Sequence, residues 1–199
     1  MAIAALGETL GRLLPPDRVH ADAESLRPYQ ADWSWAAVAA LAAGRPQGRP
    51  DLIVRPHDVS EVAVAVRAAA EHNVPVVPWG GGSGVQGAAV PVQGGMVLDL
   101  TALTAVRDIN EQAMTATVEA GLICDRFEEA LNARGLTFPH YPASSWLGTL
   151  GGYVSTRGSG VMSTRYGTIV DMVLSLEVVL PDGSIAQTLS VPRHAAGPD

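Results

Sequence analysis

Residues Pro75 to Val90 read PVVPWGGGSGVQGAAV and place Gly80, Gly81, Gly82, Gly84 and Gly87 within eight positions, directly after an apolar run. Bare backbone at that density serves either a flexible linker or a loop that approaches a ligand closely. The flanks argue against a linker. VPVVPW before the glycines and GMVLDL after them read as strands, and DLIVRP upstream reads as another. Between DLIVRP and VPVVPW, Val59, Val62, Ala63, Val66, Ala69 and Ala70 form one helical stripe. Asp58 is placed to cap that helix, with Glu61 as its capping-box partner. Strand, helix, strand, glycine loop, strand defines a small α/β lobe with a parallel sheet over about residues 47–103.

Outward from that lobe the patterns change. Residues 1 to about 30 read as helical, with Leu6, Leu10, Leu13 and Leu14 at helical spacing until Pro15 and Pro16 stop the run. An alanine-rich patch from 34 to 50, ending in GRPQGRP, reads as a loose connection, so residues 1–46 form an N-terminal helical segment. Downstream, AVRDIN and MTATVEA read as a pair of short strands. ICDRFEEALNARG reads as a helix, with Asp125 near its start and Gly135 just past its end. DMVLSLEVVLPDGSIAQT alternates like a hairpin and turns at Asp182-Gly183. The expectation is an α+β fold: the α/β lobe, then a second lobe of antiparallel strands with helices over about 104–199.

Composition bounds the function. In 199 residues, 47% are hydrophobic and 17% charged, which excludes a disordered polyelectrolyte and implies a packed core. A net charge of −7 argues against nucleic acid as a partner. The single cysteine, Cys124, precludes an internal disulfide framework and fits a reducing cytoplasm. Beside Ile123 and Phe127 it reads as packing. MAIAALGETLGRLLPP lacks the basic start of a signal peptide, and no apolar run approaches the roughly 20 residues of a membrane span, which leaves peripheral membrane association open. The histidines His20, His57, His72, His140 and His194 show no metal spacing, so no metal is expected.

The glycine loop fits neither common phosphate motif. Gly82-x-Gly84-x-x-Gly87 matches G-x-G-x-x-G, but AAVPVQGG behind it does not read as a helix. The only acidic ribose partner at the right distance, Asp99, sits inside a strand pattern, and no Gly-Lys-Ser/Thr ending is present. On this pattern alone an anion nest of consecutive N–H groups and a structural turn both stand. A second segment, PASSWLGTLGGYVSTRGSGVMSTRYG from Pro142 to Gly167, tips the balance. It combines Gly148, Gly151, Gly152, Gly158, Gly160 and Gly167 with hydroxyls at Ser144, Ser145, Thr149, Ser155, Thr156, Ser159 and Ser163. Two separated loops rich in Gly, Ser and Thr suit a long ligand with phosphates and a flat ring.

The order PWGGGSG, TLGGYVSTRGSG, YGTIVDMVLSLEVVLPDG resembles the PCMH-type FAD-binding domain of the vanillyl-alcohol oxidase family. It is most similar to the branch holding D-lactate and glycolate dehydrogenases and alkylglycerone-phosphate synthase. VSTRGSG and the terminal GPD lean toward the synthase-like members. The resemblance covers about residues 25–199 and implies FAD as the cofactor.

Residue by residue, it places Pro78, Trp79, Gly80, Gly81, Gly82, Ser83 and Gly84 around the FAD diphosphate, where a Cβ would hold the ligand away. It places Ala143, Ser144, Ser145 and Thr149, with Gly151 and Gly152, at a second flavin-contacting segment. Thr156, Arg157, Gly158 and Ser159 stand at a third, and residues 170–173 at the approach to the adenine. Arg157 stands either as a phosphate or flavin partner or as a surface ion pair. With no histidine in the first loop, the FAD is expected to be held non-covalently. YQADWSW, with Asp32, Trp33 and Trp35, resembles the family's N-terminal segment and is read as packing on the FAD lobe.

The resemblance further implies a GSEGTLG-type segment and a cap domain beyond RHAAGPD, and the catalytic residues are therefore unknown. A fragment, one subunit of a split enzyme with a partner chain, and a remnant without turnover all stand, each expected to have little activity alone. The expected function is oxidation of a small-molecule 2-hydroxy acid or similar alcohol by hydride transfer to flavin N5. A synthase-like transferase and a non-catalytic FAD-binding module are the alternatives.

Overall fold

The computed structural model describes residues 1–189. The terminal GPD therefore lies outside the described residues. The chain opens with α1 (Ala2–Leu13), β1 (Val19–His20), α2 (Ala23–Leu26) and α3 (Trp35–Ala42). The α/β lobe follows as β2 (Leu52–Val54), α4 (Val59–Glu71), β3 (Val76–Trp79) and β4 (Met96–Asp99). Then come β5 (Val106–Asn110), β6 (Thr115–Val118), α5 (Cys124–Asn132), α6 (Leu150–Thr156), α7 (Ser163–Tyr166), β7 (Glu177–Val179) and β8 (Ile185–Gln187).

Four strands form one sheet in the order β1-β2-β4-β3. β4 lies between β2 and β3 and is parallel to both, with Leu52 and Val76 each registered on Met96. Every residue of β2 and β4 is buried, as inner strands covered on both faces should be, and only Asp99 at the end of β4 is polar. α4 makes the β2-to-β3 crossover. Its alanines Ala65, Ala68 and Ala69 let it sit close to the sheet, beside Leu6 and Leu10 of α1. Asp58 caps α4, accepting the Glu61 N–H at 2.9 Å. The expected capping box is displaced by one residue. The Glu61 carboxylate accepts from the His57 N–H (2.7 Å) and from Arg18 Nε (3.0 Å) rather than from the cap itself.

Three expectations need correcting. The segment 1–46 is not only helical, because β1 adds an antiparallel edge strand to the sheet (Val19 on Val54). Residues 35–42, taken as part of a loose connection, form α3, a run dominated by alanine, the residue that costs a helix least. The segment 142–167 is not all loop: Thr149 caps α6, and Leu150 and Tyr153 anchor it in a second core. That core also holds Leu122, Phe127, Leu131 and Ile169, under the β5–β6 hairpin.

The hairpin after 172 is real but shorter than its alternation suggests. Strand pairing is confined to β7 and β8, with Gly183 at φ 77° in the turn. Residues 168–171 instead form a capped 3₁₀ turn in which Thr168 and Asp171 bond each other reciprocally, and Met172 is left in a helical conformation. The hairpin also packs on α4 of the first lobe. Arg67 donates to the Gly183 carbonyl at 3.2 Å, and Val179 joins the first core.

Candidate functional site

The glycine loop leaves β3 at the carboxyl end of the parallel strands, where open α/β sheets place their ligands. Among the described residues, no backbone N–H from Gly80 to Ala89 donates to a protein acceptor. A run of unpaired donors on a half-buried loop is the feature an anion nest requires. Gly82 and Gly87 take left-handed backbone (φ 64° and 80°), and Gly82 rests on the Trp79 indole.

Gly80 and Gly81 do not need left-handed backbone. Their requirement is steric. A Cβ on Gly80 would strike the Thr149 hydroxyl, and one on Gly81 the Leu147 carbonyl oxygen. Glycine at these two positions lets one chain segment lie on another, whatever it does for a ligand. Gly84 meets nothing closer than an ordinary van der Waals contact.

The second segment is locked from below. The N–H groups of Cys124 and Asp125, opening α5, donate to the carbonyls of Gly148 (3.0 Å) and Ser145 (3.1 Å). The Tyr153 hydroxyl lies 2.9 Å from Ser144 Oγ, under Gly148. Ser145 and Thr149 are buried, whereas Ala143 is exposed. Thr149 Oγ1 accepts the Gly152 N–H at 3.3 Å, and Gly151 lies against Ala120.

The third group sits at the other end of α6, roughly 10 Å along its axis at 1.5 Å per residue. The Thr156 hydroxyl is used within the helix, donating to the Gly152 carbonyl at 2.9 Å. Arg157 is exposed, takes left-handed backbone (φ 54°), and forms no ion pair among the described residues. Gly158 follows on Tyr153, and Ser159 is exposed. Val170 is exposed on the 3₁₀ turn beside buried Ile169.

Asp99 is not free to meet a ribose. It is buried, and its oxygens accept the Tyr29 hydroxyl (2.6 Å), Arg55 Nε (3.0 Å) and the Thr101 N–H (2.9 Å). Burial, reinforced by this bond to Asp99, pushes the Tyr29 hydroxyl well above its ordinary pKa. The Tyr29 ring meets Trp79 edge-on at 5.0 Å, which ties the network to the start of the loop.

Cys124 is buried, its thiol 3.6 Å from the His140 carbonyl, and burial raises its pKa to about 11. It is a packing residue. His140 is fully buried among Phe138 and Tyr153, neither ring nitrogen has a partner among the described residues, and burial lowers its pKa. The sequence did not single out Ser34, and it assigned Asp32 to packing alone. Both are buried beside the glycine loop, and the only local signal was their place in YQADWSW.

Comparison with known proteins agrees with this geometry. A family model described as FAD binding domain matches residues 50–189. The chain is 34% identical over 142 residues to glycolate oxidase subunit GlcD of Bacillus subtilis, covering 71% of this chain and 30% of that protein. It is 34% identical over 163 residues to alkyldihydroxyacetonephosphate synthase of Caenorhabditis elegans, covering 80% and 27%. It is 34% identical over 160 residues to the mitochondrial cytochrome D-lactate dehydrogenase of Arabidopsis thaliana, covering 77% and 28%. Among solved structures, an alkyldihydroxyacetonephosphate synthase superposes with a TM-score of 0.86 at 30% identity over 94% of this chain and 36% of that one. P-cresol methylhydroxylase gives 0.79 at 25% identity over 94% and 35%.

The chain belongs to the PCMH-type FAD-binding domain family of FAD-linked oxidoreductases, and its cofactor is FAD. It spans about 30% of the length of the curated relatives named above. No helix among the described residues is long and apolar enough to cross a membrane.

Proposed function

We propose that this chain is the FAD-holding portion of an oxidoreductase that acts on a 2-hydroxy acid or a similar CH–OH substrate. The observation that carries the cofactor half of this reading is the unpaired run of N–H groups from Gly80 to Ala89, seated on the second glycine segment. Gly80, Gly81, Gly82, Ser83 and Gly84 hold the diphosphate with backbone donors, between Pro78 and Trp79 on one side and Thr149 on the other. Ala143, Ser144 and Ser145, with Gly151 and Gly152, line the next stretch. Thr156, Arg157, Gly158 and Ser159 stand toward the flavin. The FAD is held without a covalent bond. When bound, FAD supplies the two-electron acceptor that takes a hydride from the hydroxyl-bearing carbon, while the hydroxyl proton leaves to a base. The protein's part is binding and orientation.

The substrate half rests on the two dehydrogenase-like relatives, whose names specify glycolate and D-lactate. A second reading, a synthase-like transferase, is favoured by the 0.86 TM-score to alkyldihydroxyacetonephosphate synthase. Anaerobic addition of D-lactate or glycolate to the FAD-loaded intact protein separates the two. Bleaching of the oxidised flavin with release of the 2-keto acid supports the first. Exchange of an acyl group for an alcohol on a glycerone phosphate ester, with no net bleaching, supports the second.

A further inference from the structure

The segment from Tyr29 to Ser34 touches both cofactor segments. Tyr29 meets Trp79, and Trp33 meets Trp146 edge-on at 5.7 Å. Between these contacts Asp32 is 1% exposed and Ser34 6%. Asp32 Oδ1 accepts the Ser34 N–H at 2.9 Å, which fixes the direction of the carboxylate. Among the described residues its other oxygen, Oδ2, has no hydrogen-bond partner, and neither has Ser34 Oγ. Oδ2 lies 3.5 Å from where a Cβ on Gly84 would stand, and Ser34 Oγ 3.8 Å from where one on Gly87 would stand. The loop leg between those glycines carries N–H groups with no acceptor among the described residues.

An unpaired buried carboxylate oxygen costs stability, and buried polar groups in native proteins are nearly always bonded. Here an orphan acceptor is buried beside a loop leg whose own donors have no acceptor among the described residues. We propose that Asp32, assisted by Ser34, is a positioning residue for the cofactor loop. It accepts N–H groups of the Val85–Gly87 leg when the ligand orders the loop, and so keeps the Gly80–Gly84 donors turned toward the anion. It is not itself a phosphate ligand, since like charges repel at close range. The inference rests on the reading of residues 80–84 as the diphosphate loop.

The test combines FAD titration with thermal unfolding of the FAD-free protein for the wild type, Asp32→Asn, Asp32→Ala and Ser34→Ala. For the Asp32 variants the expected result is an FAD-free midpoint that holds or rises, because an unpaired buried charge has gone, while the FAD Kd weakens tenfold or more. Ser34→Ala gives a smaller weakening in the same direction. The isosteric Asp32→Asn decides the matter if the alanine variant does not fold. Asp32→Asn binding FAD as tightly as the wild type overturns the proposal, whether its midpoint falls or not. A wild type that binds no FAD overturns the underlying reading as well, which is a distinct outcome.

Discussion

The backbone of Gly81 rests on the main-chain carbonyl of Leu147, so the first glycine segment is seated on the second by protein contacts alone. Glycines in one loop thus answer to two different demands, and substitution separates them. Gly81→Ala pushes a methyl into backbone that cannot step aside, and should cost roughly 1–3 kcal/mol of stability as overpacking does. Gly84→Ala has room in the protein alone and should stay within about 0.5 kcal/mol of wild type. The methyl faces Asp32 Oδ2, the carboxylate proposed to position the loop, so FAD affinity should fall in Gly84→Ala without loss of fold. Thermal unfolding of the FAD-free proteins and FAD titration check both halves.

Thr149 connects the two segments through its hydroxyl, which caps α6 and touches Gly80. Thr149→Val keeps the shape and removes the cap. It should lower stability by about 1 kcal/mol, and Thr149→Ser should restore most of it. Denaturant unfolding of the three proteins measures the difference.

Arg157 holds left-handed backbone at the end of α6, where glycine is the unstrained choice. Arg157→Gly should therefore raise the stability of the FAD-free protein by up to about 1 kcal/mol. The same variant should bind FAD more weakly if the guanidinium serves the cofactor. A drop in stability would show that the side chain is a structural partner instead.

The pH response of stability has a defined sign at Cys124. Its folded pKa, about 11, lies above the ordinary value of 9.0, so the native state keeps a proton that the unfolded chain gives up. Its contribution is complete below pH 9 and is lost as pH rises toward 11. Cys124→Ala should flatten that alkaline decline, read as unfolding midpoints across the same window. His140 acts at the other end. Burial depresses its pKa, so stability should fall as pH drops below about 6.5, and His140→Phe should remove that sensitivity.

Much of this was legible in the sequence where a single period ran uninterrupted. β2, α4, β3 and β4 follow from one apolar stripe and the strands around it, and the glycine loop falls between β3 and β4 as read. β1 escaped because two residues carry no period, and only pairing with β2 makes them a strand. α3 escaped because an alanine run has no amphipathic stripe to read. α6 was hidden by Gly151 and Gly152, although Thr149 as a cap and Leu150, Tyr153 and Val154 at helical spacing were the available signal. The alternation from Met172 to Leu176 misled because the Thr168–Asp171 turn satisfies its own backbone first. The seating of Gly81 on Leu147 and the burial of Asp32 beside Gly84 join residues far apart in the chain, and no local pattern encodes them.

The central claim is that the loop from Gly80 to Gly84, seated on Thr149, holds the diphosphate of FAD. Titration of the FAD-free protein with FAD, followed by competition with ADP and with FMN, tests it most directly. The account predicts one FAD per chain, displaced by ADP, which carries the diphosphate, and little affected by FMN, which does not. Displacement by FMN with indifference to ADP, or saturable binding of a nicotinamide dinucleotide in place of FAD, would contradict it.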